Sequence, residues 1–211
     1  MTKKITTFIV IAMALLLSKG VQAQGLGINF GYASETLPTP SPILKITLPQ
    51  SNLNGFYLGA NYNFHLSNVF GISVGLQGRY NTRNYDFTLL EVDSHVKETQ
   101  ILVDLPVLIN IGADLSDDTR LSFYIGPVVS YAVNGNSEIS NTLTASPTKM
   151  EWYAGDDTYK PLNIQASAGV SLTVQHIRFF GGYAMGFSDL DKNEKTKTTT
   201  STMYLGLGYV F

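Results

Sequence analysis

Apolar residues recur at every second position along most of this chain. The C-terminal stretch shows the pattern plainly: Met203, Leu205, Leu207, Tyr209 and Phe211 fall on one face, and Tyr204, Gly206, Gly208 and Val210 on the other. A period of two marks a strand whose two faces meet different surroundings. Seven earlier segments repeat it, separated by stretches rich in Asn, Asp, Ser, Thr, Gly and Pro. The pattern predicts strands over 26–33, 56–65, 70–81, 99–112, 121–133, 162–174, 177–187 and 199–211. After the first residues no window holds 18 consecutive apolar residues, and no 3.6-residue apolar stripe persists. A helical membrane protein and a helix bundle are therefore excluded.

The connections between these strands alternate between long (34–55, 82–98, 134–161, 188–198) and short (66–69, 113–120, 175–176). In an up-and-down barrel that alternation gathers the four long loops at one end, opposite the turns and both termini of the mature chain. Outer-membrane barrels have this asymmetry, with short periplasmic turns and longer extracellular loops. The expected fold is all-β, an eight-stranded antiparallel up-and-down transmembrane β-barrel.

The two faces decide what surrounds the barrel. One alternating set carries no charge, whereas the complementary set holds Asn29, Asn61, Asn63, His65, Gln77, Arg79, Asp104, Asn110, Ser130, Gln165, Ser167, Ser171, Arg178 and most strand glycines. A soluble lipocalin-type barrel would need the reverse, an apolar cavity inside a polar exterior. The polar set is thus expected to face inward and the apolar set to face hydrocarbon. Aromatic residues near strand ends suit interfacial girdles: Tyr32, Phe56, Tyr80, Tyr131 and Phe187 at the loop end, and Phe64, Phe70, Phe179, Tyr209 and Phe211 at the turn end. Pro106 and Pro127 each remove a ladder donor inside a closed sheet, so bulges are expected there.

Composition agrees with this placement. Charged residues make up 14% of the 211 residues, against about 25% in an ordinary soluble domain. With 14 Lys plus Arg and no basic cluster, the chain has no footprint for nucleic acid. The absence of Cys excludes disulfides, thiolate metal sites, thiol catalysis and a lipoprotein anchor. Residues 1–23 read as a secretory signal peptide: Lys3 and Lys4, an apolar run from Ile5 to Leu17, then Val21-Gln22-Ala23 before the expected cleavage. The run is too short for a spanning helix, which needs roughly 20 residues. Cleavage removes Lys3, Lys4 and Lys19, which takes the formal net charge from −2 to −5. The mature domain is then 24–211.

The segments Glu98 to Asn110 and Phe123 to Tyr131, with the terminal Tyr209-Val210-Phe211, resemble the porin-family outer-membrane β-barrel domain of Bacteroidetes (PorT-like). The resemblance covers the whole mature chain. It implies the cell outer membrane and little about activity. It also implies that Tyr209 and Phe211 form the signal read by the barrel-assembly machinery during insertion.

Candidate chemistry is sparse. His65 falls near the turn end, His176 in the tightest turn and His95 in a long loop, where Ser94-His95 with Glu91 or Asp93 is the one arrangement suited to a loop-sited lipid hydrolase. Asp189 to Glu194 begins like a calcium loop but lacks Gly at its sixth position and has Thr200 at its twelfth. No Gly-rich phosphate loop is present, and no cofactor or metal is expected. Arg79, Asp104 and Arg178 are the charges expected in the strands; Asp104 is expected to pair with one or both arginines in a polar network that plugs the lumen. Trp152, Tyr153 and Tyr159 in the 134–161 loop suit surface contact with a partner or with lipopolysaccharide headgroups. The expected role is structural or surface-interacting and non-enzymatic, exercised through the long extracellular loops. Expected partners are outer-membrane lipid and lipopolysaccharide, the assembly machinery, and an extracellular or envelope protein. A passive small-solute pore is the alternative; it would need a continuous polar path past Arg79 and Asp104.

Overall fold

The computed structural model describes residues 25–37, 52–89, 92–141, 147–154, 159–192 and 198–211. The signal peptide, Glu91 and the Pro38–Pro49 portion of the first loop lie outside the described residues. The strands are β1 (Gly25–Thr36), β2 (Leu53–His65), β3 (Phe70–Leu89), β4 (Val92–Ser116), β5 (Thr119–Asn141), β6 (Thr148–Glu151), β7 (Leu162–Val174), β8 (Ile177–Gly186) and β9 (Ser201–Val210). Each pairs antiparallel with its neighbours, and β1 pairs β9, so β1–β5 and β7–β9 close into an eight-stranded ring. The short β6 lies outside the ring as a hairpin partner of the β5 end.

The two faces divide as the alternation requires. Outward Leu26, Ile28, Phe30, Leu58, Leu76, Ile125 and Leu205 are all exposed, whereas Asn29, Asn61, Arg79, Asp104, Ser130 and Gln165 are buried in the lumen. Tyr32, Phe56 and Tyr80 lie directly opposite one another on β1, β2 and β3. Such a row suits an interfacial girdle.

Two expectations need correction. The 82–98 connection is not a loop: β3 runs to Leu89 and β4 starts at Val92, so the hairpin continues the ladder well beyond Tyr80. The 134–161 connection likewise begins with the β5 end and β6. Alternation persists there, with Arg83, Val96 and Glu98 buried and Asn84, Asp86, His95 and Lys97 exposed. What changes is the outer face, which turns polar above Tyr80 and Ile101 because water replaces hydrocarbon. The strand continues where the apolar band stops.

The bulge also lies elsewhere. β4 and β5 keep one register across Pro106 and Pro127, with unpaired rungs beside each proline, and shift register instead between Ile101 and Leu102 and, next to the turn, between Asp114 and Ser116. A proline deletes one donor without adding a residue, so it interrupts the ladder and leaves its register intact. Opposite the shift at Ile101, Val133 and Asn134 are both exposed, after which Gly135 and Ser137 are buried. The extra residue inverts the alternation of β5 where it leaves the apolar band.

Candidate functional site in the barrel lumen

An eight-stranded barrel has room inside only for side chains, and here they stack in layers. Nearest the turns is an amide and hydroxyl chain. Asn29 Nδ2 donates to Asn61 Oδ1 (2.5 Å), Asn61 Nδ2 to Asn63 Oδ1 (2.8 Å), Ser73 Oγ to Asn63 Oδ1 (2.5 Å) and Asn110 Nδ2 to Ser73 Oγ (2.8 Å). Above it stand Tyr57, Tyr124, Phe180 and Tyr204. Their rings need the glycines across the lumen: a Cβ at Gly206 would lie 2.1 Å from Tyr57 Oη, and one at Gly182 would lie 2.2 Å from Tyr124 Oη.

The charged layer follows. Arg79 Nε donates to Asp104 Oδ2 at 3.0 Å, and its Nη1 donates to Glu35 Oε2 and to Thr202 Oγ1 (3.4 Å). Asn81 Nδ2 also donates to Glu35 (3.2 Å), and the Arg79 guanidinium lies 5.7 Å from the Tyr204 ring centre. All three charged groups are buried. Removal from water costs several kcal/mol per ion, and only close pairing with further hydrogen bonds offsets that. A second pair, Arg83 with Glu98, sits toward the loops; Arg83 Nη1 donates to the Leu37 carbonyl (2.9 Å) and Ser137 Oγ to Glu98 (3.2 Å).

Of the expected lumen charges, Arg79 and Asp104 meet, whereas Arg178 stands apart at the turn end, its Nη1 3.5 Å from Asn63 Oδ1. Glu35, Arg83 and Glu98 fall within the 34–55 and 82–98 connections expected from the sequence, yet they are buried in the lumen. Glu35 stands two residues beyond Ala33 in the same inward phase, which was the available signal.

Trp152, Tyr153 and Tyr159 do not form an exposed contact surface. Trp152 is 0% exposed and Tyr159 is buried, packed with Leu37, Leu53 and Leu190 into an apolar cap at the loop end, with Tyr153 partly buried against it. Trp152 Nε1 donates to Ser137 Oγ (2.7 Å), and its backbone N donates to the Gly135 carbonyl (2.8 Å). An indole that finds an apolar seat and a partner for its N–H gains from burial. Burial raises the hydroxyls of Tyr153 and Tyr159 well above the usual tyrosine range; Gln100, which donates to Tyr153 Oη at 2.7 Å, opposes the shift in part.

Ser94 and His95 are neighbours on β4, so they point to opposite faces: Ser94 is buried and His95 exposed. His95 Nδ1 instead meets Asp86 Oδ1 on β3 (2.5 Å). His65 is exposed at the turn end, where His176 stacks on Tyr209. Asp189 braces its own loop by accepting from the backbone N–H groups of Asp191 (3.1 Å) and Thr198 (2.9 Å). Outward Tyr209 and Phe211 are exposed, and their rings lie 5.0 Å apart.

Among solved structures, the chain is similar to Ail, the attachment invasion locus protein of Yersinia pestis (17% identity, 89% of this chain and 98% of that chain, TM-score 0.47). It is also similar to Neisserial surface protein A (11%, 92% and 100%, 0.40) and to OprG of Pseudomonas aeruginosa (11%, 91% and 98%, 0.41). No curated protein matches it. The family model described as the outer membrane protein beta-barrel domain matches residues 22–192. The chain therefore belongs to the outer-membrane β-barrel domain family and resides in the cell outer membrane.

Proposed function

We propose that this chain is a non-enzymatic, non-conducting barrel of the PorT-like group of Bacteroidetes, with a structural or surface-interaction role exercised from its loop end. The Glu35–Arg79–Asp104 layer carries the reading. It joins β1, β3 and β4 through the lumen, and the Arg83–Glu98 pair and the Trp152 cap lie beyond it on the loop side. Solute passage would require breaking buried charge pairs. Above the apolar band, the β3–β4 hairpin presents exposed Asn84, Asp86, His95 and Lys97 to water. In this reading these side chains, in place of the buried Trp152 and Tyr159, meet an extracellular or envelope protein. Lipid and lipopolysaccharide surround the barrel, and the assembly machinery reads Tyr209 and Phe211 during insertion.

The absence of native Cys permits a direct test of sidedness. In intact cells, Asn84→Cys and Lys97→Cys are expected to react with a membrane-impermeant maleimide, and Asp118→Cys in the β4–β5 turn only after the outer membrane is permeabilised. The opposite pattern would overturn the reading. Photo-crosslinking from Asn84 and Lys97 in the same cells then captures the partner; capture of lipid alone would overturn the protein-contact part.

A further inference from the structure

Between the charged layer and the turns the lumen holds a cavity of about 80 Å³, lined in part by Asn61, Ser73, Tyr57, Tyr124, Ser167 and Arg178. Arg178 also lines the vestibule of about 560 Å³ at the turn end together with Asp114, Asp117, Asp118 and Arg120; Asp114 is engaged with Arg120 at 2.7 Å. Among the described residues no carboxylate lines the cavity itself. Among the described residues none lies within 4.0 Å of the Arg178 guanidinium, whose polar contact is the 3.5 Å approach to Asn63 Oδ1. Asn63 Oδ1 already accepts from Asn61 and Ser73.

Two buried polar atoms of the cavity lining, Arg178 Nε and Tyr57 Oη, have no hydrogen-bond partner among the described residues. Both can donate. Among the described residues the lumen charges are offset along the axis: Glu35, Arg79 and Asp104 leave one excess negative charge, Arg83 and Glu98 cancel, and Arg178 leaves one positive charge near the turns. Arg178 is half-buried with its Nε enclosed; a guanidinium in such a place without an anionic partner carries a desolvation cost, and charge-assisted hydrogen bonds to an anion would offset it.

We propose that this cavity is a binding site for a small monovalent inorganic anion of halide or nitrate size, held by Arg178 Nε and Tyr57 Oη and entering from the turn-end vestibule. A lining that, among the described residues, carries a guanidinium and neutral oxygens but no carboxylate disfavours a metal cation, and the volume excludes an organic solute of metabolite size. One anion pairs the Arg178 guanidinium locally, as Glu35 and Asp104 pair Arg79 in the layer above.

The test uses the barrel extracted in detergent from outer membranes, at constant ionic strength, with sodium bromide exchanged for sodium gluconate. Bromide is expected to raise the unfolding midpoint by several degrees along a saturating curve, as ligand linkage requires. The rise should vanish in Arg178→Gln and shrink in Tyr57→Phe. Crystals of the unaltered protein grown in bromide should show anomalous density between Arg178 Nε and Tyr57 Oη. Because the density needs no variant, the test stands even where Arg178→Gln fails to fold. Ordered water alone at that place, a midpoint rise unchanged in either variant, or density without any solution shift, which is binding at crystal concentration only, would each overturn the proposal.

Discussion

Arg79 and Glu35 are 44 residues apart in the chain and two strands apart around the barrel, yet they form an ion pair in its buried interior. Asp104 on β4 holds the other side of the same guanidinium. One cation thus ties β1 to β4 through the lumen while the ladders tie them around the wall.

Arg79→Gln leaves two buried carboxylates without a counter-charge, and breaking a buried pair costs about 3–5 kcal/mol. Urea unfolding in detergent micelles should show the loss. Removing all three charges together (Glu35→Gln, Arg79→Met, Asp104→Asn) should recover most of it, because no uncompensated ion remains.

The strands were legible inside the apolar band because each outward position there is apolar and most inward ones are small or polar, with Leu102, Val128 and Phe180 among the exceptions. Beyond the band the outer face becomes polar, so Asn84, Asp86, His95 and Lys97 resembled loop residues although β3 and β4 continue. The bulge at Val133 hid the seat of Trp152: simple alternation points Gly135 and Ser137 outward, and the extra residue turns them in. Inward charges were legible as a class, but partners depend on height along the barrel, which register fixes. Gln77 pairs with Asp104 across the ladder, so Asp104 stands beside Arg79, whereas Arg178 pairs with Thr173 and Gly208 near the turn.

The height of the apolar band can be measured by charge insertion. Leu58→Arg places a cation on the hydrocarbon face of β2 and should cost about 2–4 kcal/mol. Asn84→Arg, above the band on β3, should be close to neutral. Equal effects in a lipid-vesicle unfolding assay would misplace the membrane boundary.

Trp152 is the one tryptophan of the chain, so its fluorescence reports the cap alone. Emission should be blue-shifted and poorly quenched by acrylamide. Gly135→Val should red-shift it, because a Cβ at Gly135 would lie 2.9 Å from the Trp152 ring and 2.5 Å from that of Tyr153.

Packing of the middle layer depends on glycine. Gly206→Ala should cost about 1–3 kcal/mol as an overpacked interior, and adding Tyr57→Phe should recover part of it by removing the hydroxyl that meets the new methyl. An additive double mutant in thermal unfolding would show that the two groups do not touch.

Outside the membrane, Lys149 holds the Glu138 carboxylate below the usual range through their 2.7 Å contact. A lowered folded value means that the contact favours β5–β6 pairing above the ordinary carboxylate pKa and that this contribution is lost as pH falls through the lowered one. The Glu138 carboxyl carbon shift should therefore titrate at lower pH than an ordinary glutamate, and Lys149→Gln should return it to the ordinary range.

The most direct test of a sealed lumen is electrical. The purified barrel, inserted into planar bilayers in salt solution, should show no discrete conductance steps above the lipid baseline. Arg79→Gln should stay silent too, because the Trp152 cap and the Arg83–Glu98 pair still close the loop end. Reproducible ohmic steps from the unaltered protein would contradict a sealed lumen.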